Sequence, residues 1–206
     1  MKTNQRFIRL ALLGSLLVAT GSAATISFTG LLTADNDIGP GQFTVATDSN
    51  VHLISLGASG GTNSDGFVVP GGGFDAVLTL YTFAGNYITF SDDGATVGPD
   101  LITGLQIDPE IAIFLPAGQY RFAVSQFDNY PVGDFVDGFL YDFDSNFTAF
   151  YGCPAGEFCD AYGNDRIKRW AVDVTIEPVR AAVPEPSAIA LLGAGLALVS
   201  VLRKRK

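Results

Sequence analysis

Bases, histidine and sulfur are what this 206-residue sequence has least of. Between residues 25 and 183 only Arg121, Arg166, Lys168, Arg169 and Arg180 are basic, against 20 acids, seventeen of them Asp, which leaves that stretch at −15. A body so charged repels phosphate backbones, which excludes nucleic acid as a partner and favours hard cations. His52 is the one histidine. That removes the common zinc sets and leaves a Ser-His-Asp site only one residue through which to form. No G-x-S-x-G elbow, H-E-x-x-H pair or phosphate loop occurs; Gly71-Gly72-Gly73 runs into Phe74 and Asp75 where a phosphate loop needs Gly-Lys-Ser/Thr. His52 itself reads as a strand residue, in Val51-His52-Leu53-Ile54, with its ring near the surface. Nor is there a capped helical stripe anywhere in the body, where many of the 24 Gly and 10 Pro are scattered.

What is present is aromatic and alternating. Sixteen Phe and 7 Tyr give one modest domain enough apolar area for a core, so a disordered body is excluded. Trp170, Val172, Val174 and Ile176 alternate with Ala171, Asp173, Thr175 and Glu177, the two-residue period of a half-buried strand. The same period marks Thr25 to Thr29, Gln42 to Thr47, Val51 to Leu56, Ala76 to Phe83, Tyr87 to Phe90, Glu110 to Leu115 and Gln119 to Ser125. Eight such strands predict an all-β fold, an antiparallel β-sandwich of two sheets packed face to face. Ala84-Gly85-Asn86 and Pro116-Ala117-Gly118 each lie between a pair of strand-like runs and predict tight hairpins.

The two ends have a different character. In residues 1–24, Lys2, Arg6 and Arg9 precede an apolar run from Leu10 to Ala19 and the small residues Gly21-Ser22-Ala23-Ala24. This order is that of a secretory signal peptide, so the mature chain is expected to start near Thr25. At the other end, an apolar run from Ala188 to Leu202 lies between Pro184-Glu185-Pro186 and the basic tail Arg203, Lys204, Arg205 and Lys206. Fifteen helical residues cover only about 23 Å, short of a ~30 Å hydrocarbon core, so the segment predicts a marginal or transient transmembrane anchor with its tail in the cytoplasm.

The ordered trio of Pro-Glu-Pro, apolar helix and terminal basic cluster resembles the PEP-CTERM sorting signal of Gram-negative bacteria, here residues 183–206. The resemblance implies processing by an exosortase at the inner membrane during export, often in organisms that make exopolysaccharide. The body, expected to fold as one domain over residues 25–180, also resembles a known family across residues 27–177. Phe28-Thr29-Gly30, Gly72-Gly73-Phe74-Asp75, Val77-Leu78-Thr79-Leu80-Tyr81, Gly85-Asn86, Ser91-Asp92-Asp93-Gly94, Leu115-Pro116-Ala117-Gly118-Gln119-Tyr120 and Ser125-Gln126-Phe127-Asp128-Asn129 carry the likeness. It is to the bacterial pre-peptidase C-terminal domain, and it implies a jelly-roll sandwich that is an accessory module and not an enzyme.

Three readings compete for the Asp-rich loops: solvated turns, oxygen ligands for Ca²⁺, and a carboxylate pair of the kind glycosidases use. Asp35, Asn36 and Asp37, Asp75, and Asp92 with Asp93 are the calcium candidates, none at EF-hand spacing. Asp134, Asp137, Asp142 and Asp144 lie among Tyr130, Phe135, Phe139, Tyr141 and Phe143, a mixture that suits sugar binding or core aromatics with solvated partners. Cys153 and Cys159, an even count in an exported chain, predict a disulfide. The expectation is a non-catalytic surface or exopolysaccharide-associated protein acting in adhesion or matrix association. Its rivals are a carbohydrate-binding module and an extracellular polysaccharide hydrolase.

Overall fold

The computed structural model describes residues 22–179. The signal-peptide residues before Ser22, the Pro184-Glu185-Pro186 motif, the Ala188 to Leu202 run and the Arg203 to Lys206 tail lie outside the described residues. Twelve strands follow in order: β1 (Ala24–Leu31), β2 (Gly39–Val45), β3 (Ser49–Ser55), β4 (Gly61–Thr62), β5 (Val68–Val69), β6 (Ala76–Thr82), β7 (Tyr87–Ser91), β8 (Glu110–Leu115), β9 (Gly118–Gln126), β10 (Phe158–Cys159), β11 (Asp165–Arg166) and β12 (Arg169–Pro178). Short 3₁₀ turns occupy Phe135–Asp137 and Phe147–Tyr151. Among the described residues no helix is long and apolar enough to cross a membrane. Each of the eight long strands overlaps one of the eight alternating runs, with the largest offset at β2, which starts at Gly39 instead of Gln42.

Their pairing is nested. β1 lies against β12, β2 against β9, β3 against β8 and β6 against β7, all antiparallel. Among the long strands, first thus meets last, second meets seventh, third meets sixth and fourth meets fifth. A single long hairpin rolled over itself makes these pairs, which is the jelly roll. Contacts of β12 with β3 and of β6 with β9 complete two sheets, β1-β12-β3-β8 and β2-β9-β6-β7.

The pairing corrects one expectation. Ala84-Gly85-Asn86 does close the β6–β7 hairpin, but the turn at Pro116-Ala117 joins β8 to β9, which belong to different sheets. The chain turns a corner there. The Tyr120 hydroxyl fixes it by donating to the Pro116 carbonyl at 2.9 Å, the arrangement of a tyrosine corner.

Alternation puts Phe43, Val51, Leu53, Leu78, Leu80, Phe122, Val124, Trp170, Val172 and Val174 between the sheets. Phe122 meets Phe28 and Trp170 edge-on, with ring centroids 5.1 and 6.3 Å away. The rings lie on bare backbone: a Cβ on Gly41 would stand 2.1 Å from the Phe122 ring, and one on Gly39 2.4 Å from that of Trp170. Three strands depart from half-burial because their outer faces are covered as well. Tyr81 of β6 and Ala123 of β9 pack under Phe139 and Phe135 of the segment that follows β9. Asp173 of β12 is covered by the β4–β5 ribbon, whose Ser64 donates to it from Nα and Oγ at 2.9 and 2.8 Å.

Candidate functional site

Strand direction sorts the connections into two groups at opposite ends of the sandwich. One end holds the short turns 46–48, 83–86 and 116–117, together with the start of β1 and the end of β12, where Ala24 pairs with Ile176. The other end receives 32–38, 56–75, 92–109 and 127–168. All the long loops thus gather at the end remote from the domain's first and last strand residues.

The loop end holds every calcium candidate, and folding sends them to separate tasks. Asp35 is buried and accepts hydrogen bonds from the Thr148 amide at 2.9 Å and hydroxyl at 2.6 Å. Asp37 accepts from the Thr33 hydroxyl and from the amides of Thr33 at 2.7 Å and Ala34 at 2.9 Å; the hydroxyl bond is the largest reason its pKa is lowered. Asp75 lies close enough to Asp93 and Asp92 to feel their charges. Asp92 accepts from the Tyr130 hydroxyl at 2.9 Å. Burial, followed by the negative charge of Asp93, pushes the Asp75 carboxyl up to about 8, so it is mostly protonated at neutral pH. Its Oδ1 is buried without a hydrogen-bond partner. Among the described residues no three His, Cys, Asp or Glu side chains are arranged to hold a metal ion.

Two constellations at this end were not foreseen. Arg166 is buried and forks onto Asp100, Nη1 to Oδ1 at 2.6 Å and Nη2 to Oδ2 at 3.0 Å, while its Nε donates to Asp160 at 3.0 Å. Burial alone would raise the Asp100 carboxyl, but hydrogen bonds from Arg166 and Thr103 outweigh it and hold the pKa at about 2. The pattern ties loop 92–109 to loop 127–168. The signal for it was scarcity, since Arg166 is one of the few bases in the body. Asp128, the one described non-glycine residue with positive φ, at 74°, accepts from the hydroxyls of Tyr141 at 3.0 Å and Tyr151 at 2.9 Å. In the same loop Cys153 and Cys159 form the expected disulfide. The acidic-aromatic stretch divides: Phe139 is buried, Phe143 is fully exposed, and Asp137 and Asp142 cap the amides of Asp134 and Phe139.

Midway along β3, His52 is half-exposed, and its Nε2 lies 2.7 Å from Glu110 Oε1 at the start of β8. The Thr96 hydroxyl donates to the same oxygen at 2.7 Å. The carboxylate therefore stands between the hydroxyl and the imidazole, the reverse of the order that activates a nucleophile. Asn50, Val51, His52, Ala112, Ile113, Phe114, Thr175 and Glu177 line a shallow groove of about 420 Å³ beside this pair.

Comparison with known proteins gives a function-bearing match at the C-terminus. Residues 182–206 match the PEP-CTERM protein-sorting motif. No curated protein matches the chain. Among solved structures the fold is similar to the pre-peptidase C-terminal domain of a collagenase from Bacillus anthracis. That likeness is at 12% sequence identity and a TM-score of 0.36, over 73% of this chain and 88% of that one. The jelly-roll assignment stands on the strand pairing itself.

Proposed function

We propose that this is an exported protein whose sandwich is a non-catalytic surface module, delivered by its C-terminal signal and released or attached by an exosortase. The sorting motif carries the reading, and it begins four residues beyond the last residue of β12, Pro178. Cleavage of a signal peptide after Ala24 would leave the new N-terminus in the first strand, beside the β12 end that leads into the motif. Both processing events then fall at the short-turn end and leave the loop end facing outward. That acidic end, with Phe143, Phe150 and Tyr162 exposed on its longest loop, is the surface we assign to adhesion or to association with exopolysaccharide.

The reading predicts where a motif variant goes. With Pro184, Glu185 and Pro186 all changed to Ala, the protein should remain in the inner-membrane fraction with its tail attached, while the parent appears at the cell surface or in the matrix. Equal distribution of the two proteins would refute it.

A further inference from the structure

Resting on that reading, we infer that the groove on the outer face of the β1-β12-β3-β8 sheet is where the folded domain docks on its processing enzyme, accepting an extended segment of the enzyme's exported region.

The tether sets the geometry. From Pro178 to Pro184 the chain advances six residues, at most about 20 Å when fully extended. An enzyme acting at the motif therefore works against the short-turn end. The groove lies on that side of the sheet, and it includes Thr175 and Glu177 of β12, the strand that leads into the motif.

Register explains why a groove exists. Glu177, Asn50 and Phe114 form one cross-strand row, and Thr175, His52 and Ala112 form the next. The small Ala112 leaves a gap between Phe114, which is half-exposed, and the His52–Glu110 pair. Farther along the same face Ser64 covers Asp173, so the open stretch of the sheet is the one nearest the tether. An extended segment lying in the groove crosses β8, β3 and β12, so it can both fill the gap over Ala112 and reach Glu177. Exposed Glu177 asks for a basic side chain on the visitor, whereas Glu110 is already committed to His52 and Thr96.

The test is pulse-chase processing of the full-length protein in the producing cell. Ala112→Phe with Glu177→Arg fills the gap and reverses the charge. We expect the processing half-time to lengthen roughly fivefold, equivalent to the loss of about 1 kcal/mol of docking energy. Phe114→Gln, a milder change on the exposed edge, should slow processing in the same direction. Val136→Ser, exposed beside the 83–86 turn of the opposite sheet, should process at the parental rate. Insertion of about fifteen Gly and Ser residues after Val179 frees the motif from the domain and should abolish the difference between parent and double variant. Parental rates in both groove variants, with melting temperatures showing both folded, would overturn the inference. Pro184→Ala with Pro186→Ala separates the two claims: if it blocks processing while the groove variants match the parent, docking alone fails. If it too is processed normally, the sorting reading fails.

Discussion

Asp75 offers a quantitative test of the loop end. Its carboxyl is raised from 3.8 to about 8, chiefly by burial and then by the charge of Asp93. Below the unfolded value the group is protonated in both states, and its contribution to stability is fully present. As pH rises from about 4 to about 8 the unfolded chain releases the proton and the folded chain keeps it, so stability is progressively lost; above about 8 the loss is complete. Each unit of difference corresponds to about 1.4 kcal/mol, so the full span has an upper limit near 6 kcal/mol, and partial solvation brings the expected figure to about 2–4 kcal/mol. Asp75→Asn removes the titration at nearly constant shape. The variant should match the parent near pH 4 and exceed it by about 2–4 kcal/mol at pH 8, roughly 5–15 °C in melting temperature for a domain of this size. Urea unfolding of the oxidised protein at several pH values measures the gap. A gap that does not change with pH, or a variant less stable than the parent at pH 8, would refute the reasoning.

Other perturbations follow from the packing. Arg166→Met leaves Asp100 and Asp160 buried without their cation and should cost about 3–5 kcal/mol, read as a lower urea midpoint. Gly41→Ala drives a methyl into the Phe122 ring, and the shift this forces should lower stability by about 1–3 kcal/mol in the same assay. Tyr120→Phe removes the corner bond to Pro116 and should cost about 1 kcal/mol, with the circular-dichroism spectrum of the sandwich retained.

Strand positions were legible because each long strand buries one face, and a two-residue period survives wherever the other face meets water. β2 shows this alternation without a break from Gly39 to Val45. Where a covering segment buries the second face, the sequence reads as an almost continuous apolar run, as in Val77-Leu78-Thr79-Leu80-Tyr81 of β6. What does the covering could not be read from the strand. Pairing was less legible than position. Pro116-Ala117-Gly118 has hairpin chemistry, yet it turns between sheets, and the decisive residue is Tyr120, four positions beyond the proline, through its hydroxyl. The Asp-rich loops are ambiguous for a related reason. A carboxylate in a loop can gather cations or satisfy neighbouring amides, and composition does not distinguish the two. Asp35 and Asp37 are taken up by amides and threonine hydroxyls, whereas Asp75 is left with an unpartnered oxygen. The Arg166 site escaped notice because its two carboxylates come from residues 66 and 6 positions away, joined only by the fold.

The central claim is that the body is delivered by signals that are removed from it. Intact-mass spectrometry of the native protein recovered from the cell surface reports both ends at once. The account predicts a species that begins near Thr25, contains the Cys153–Cys159 disulfide and lacks Arg203 to Lys206. A surface protein whose mass still includes that basic tail would contradict it.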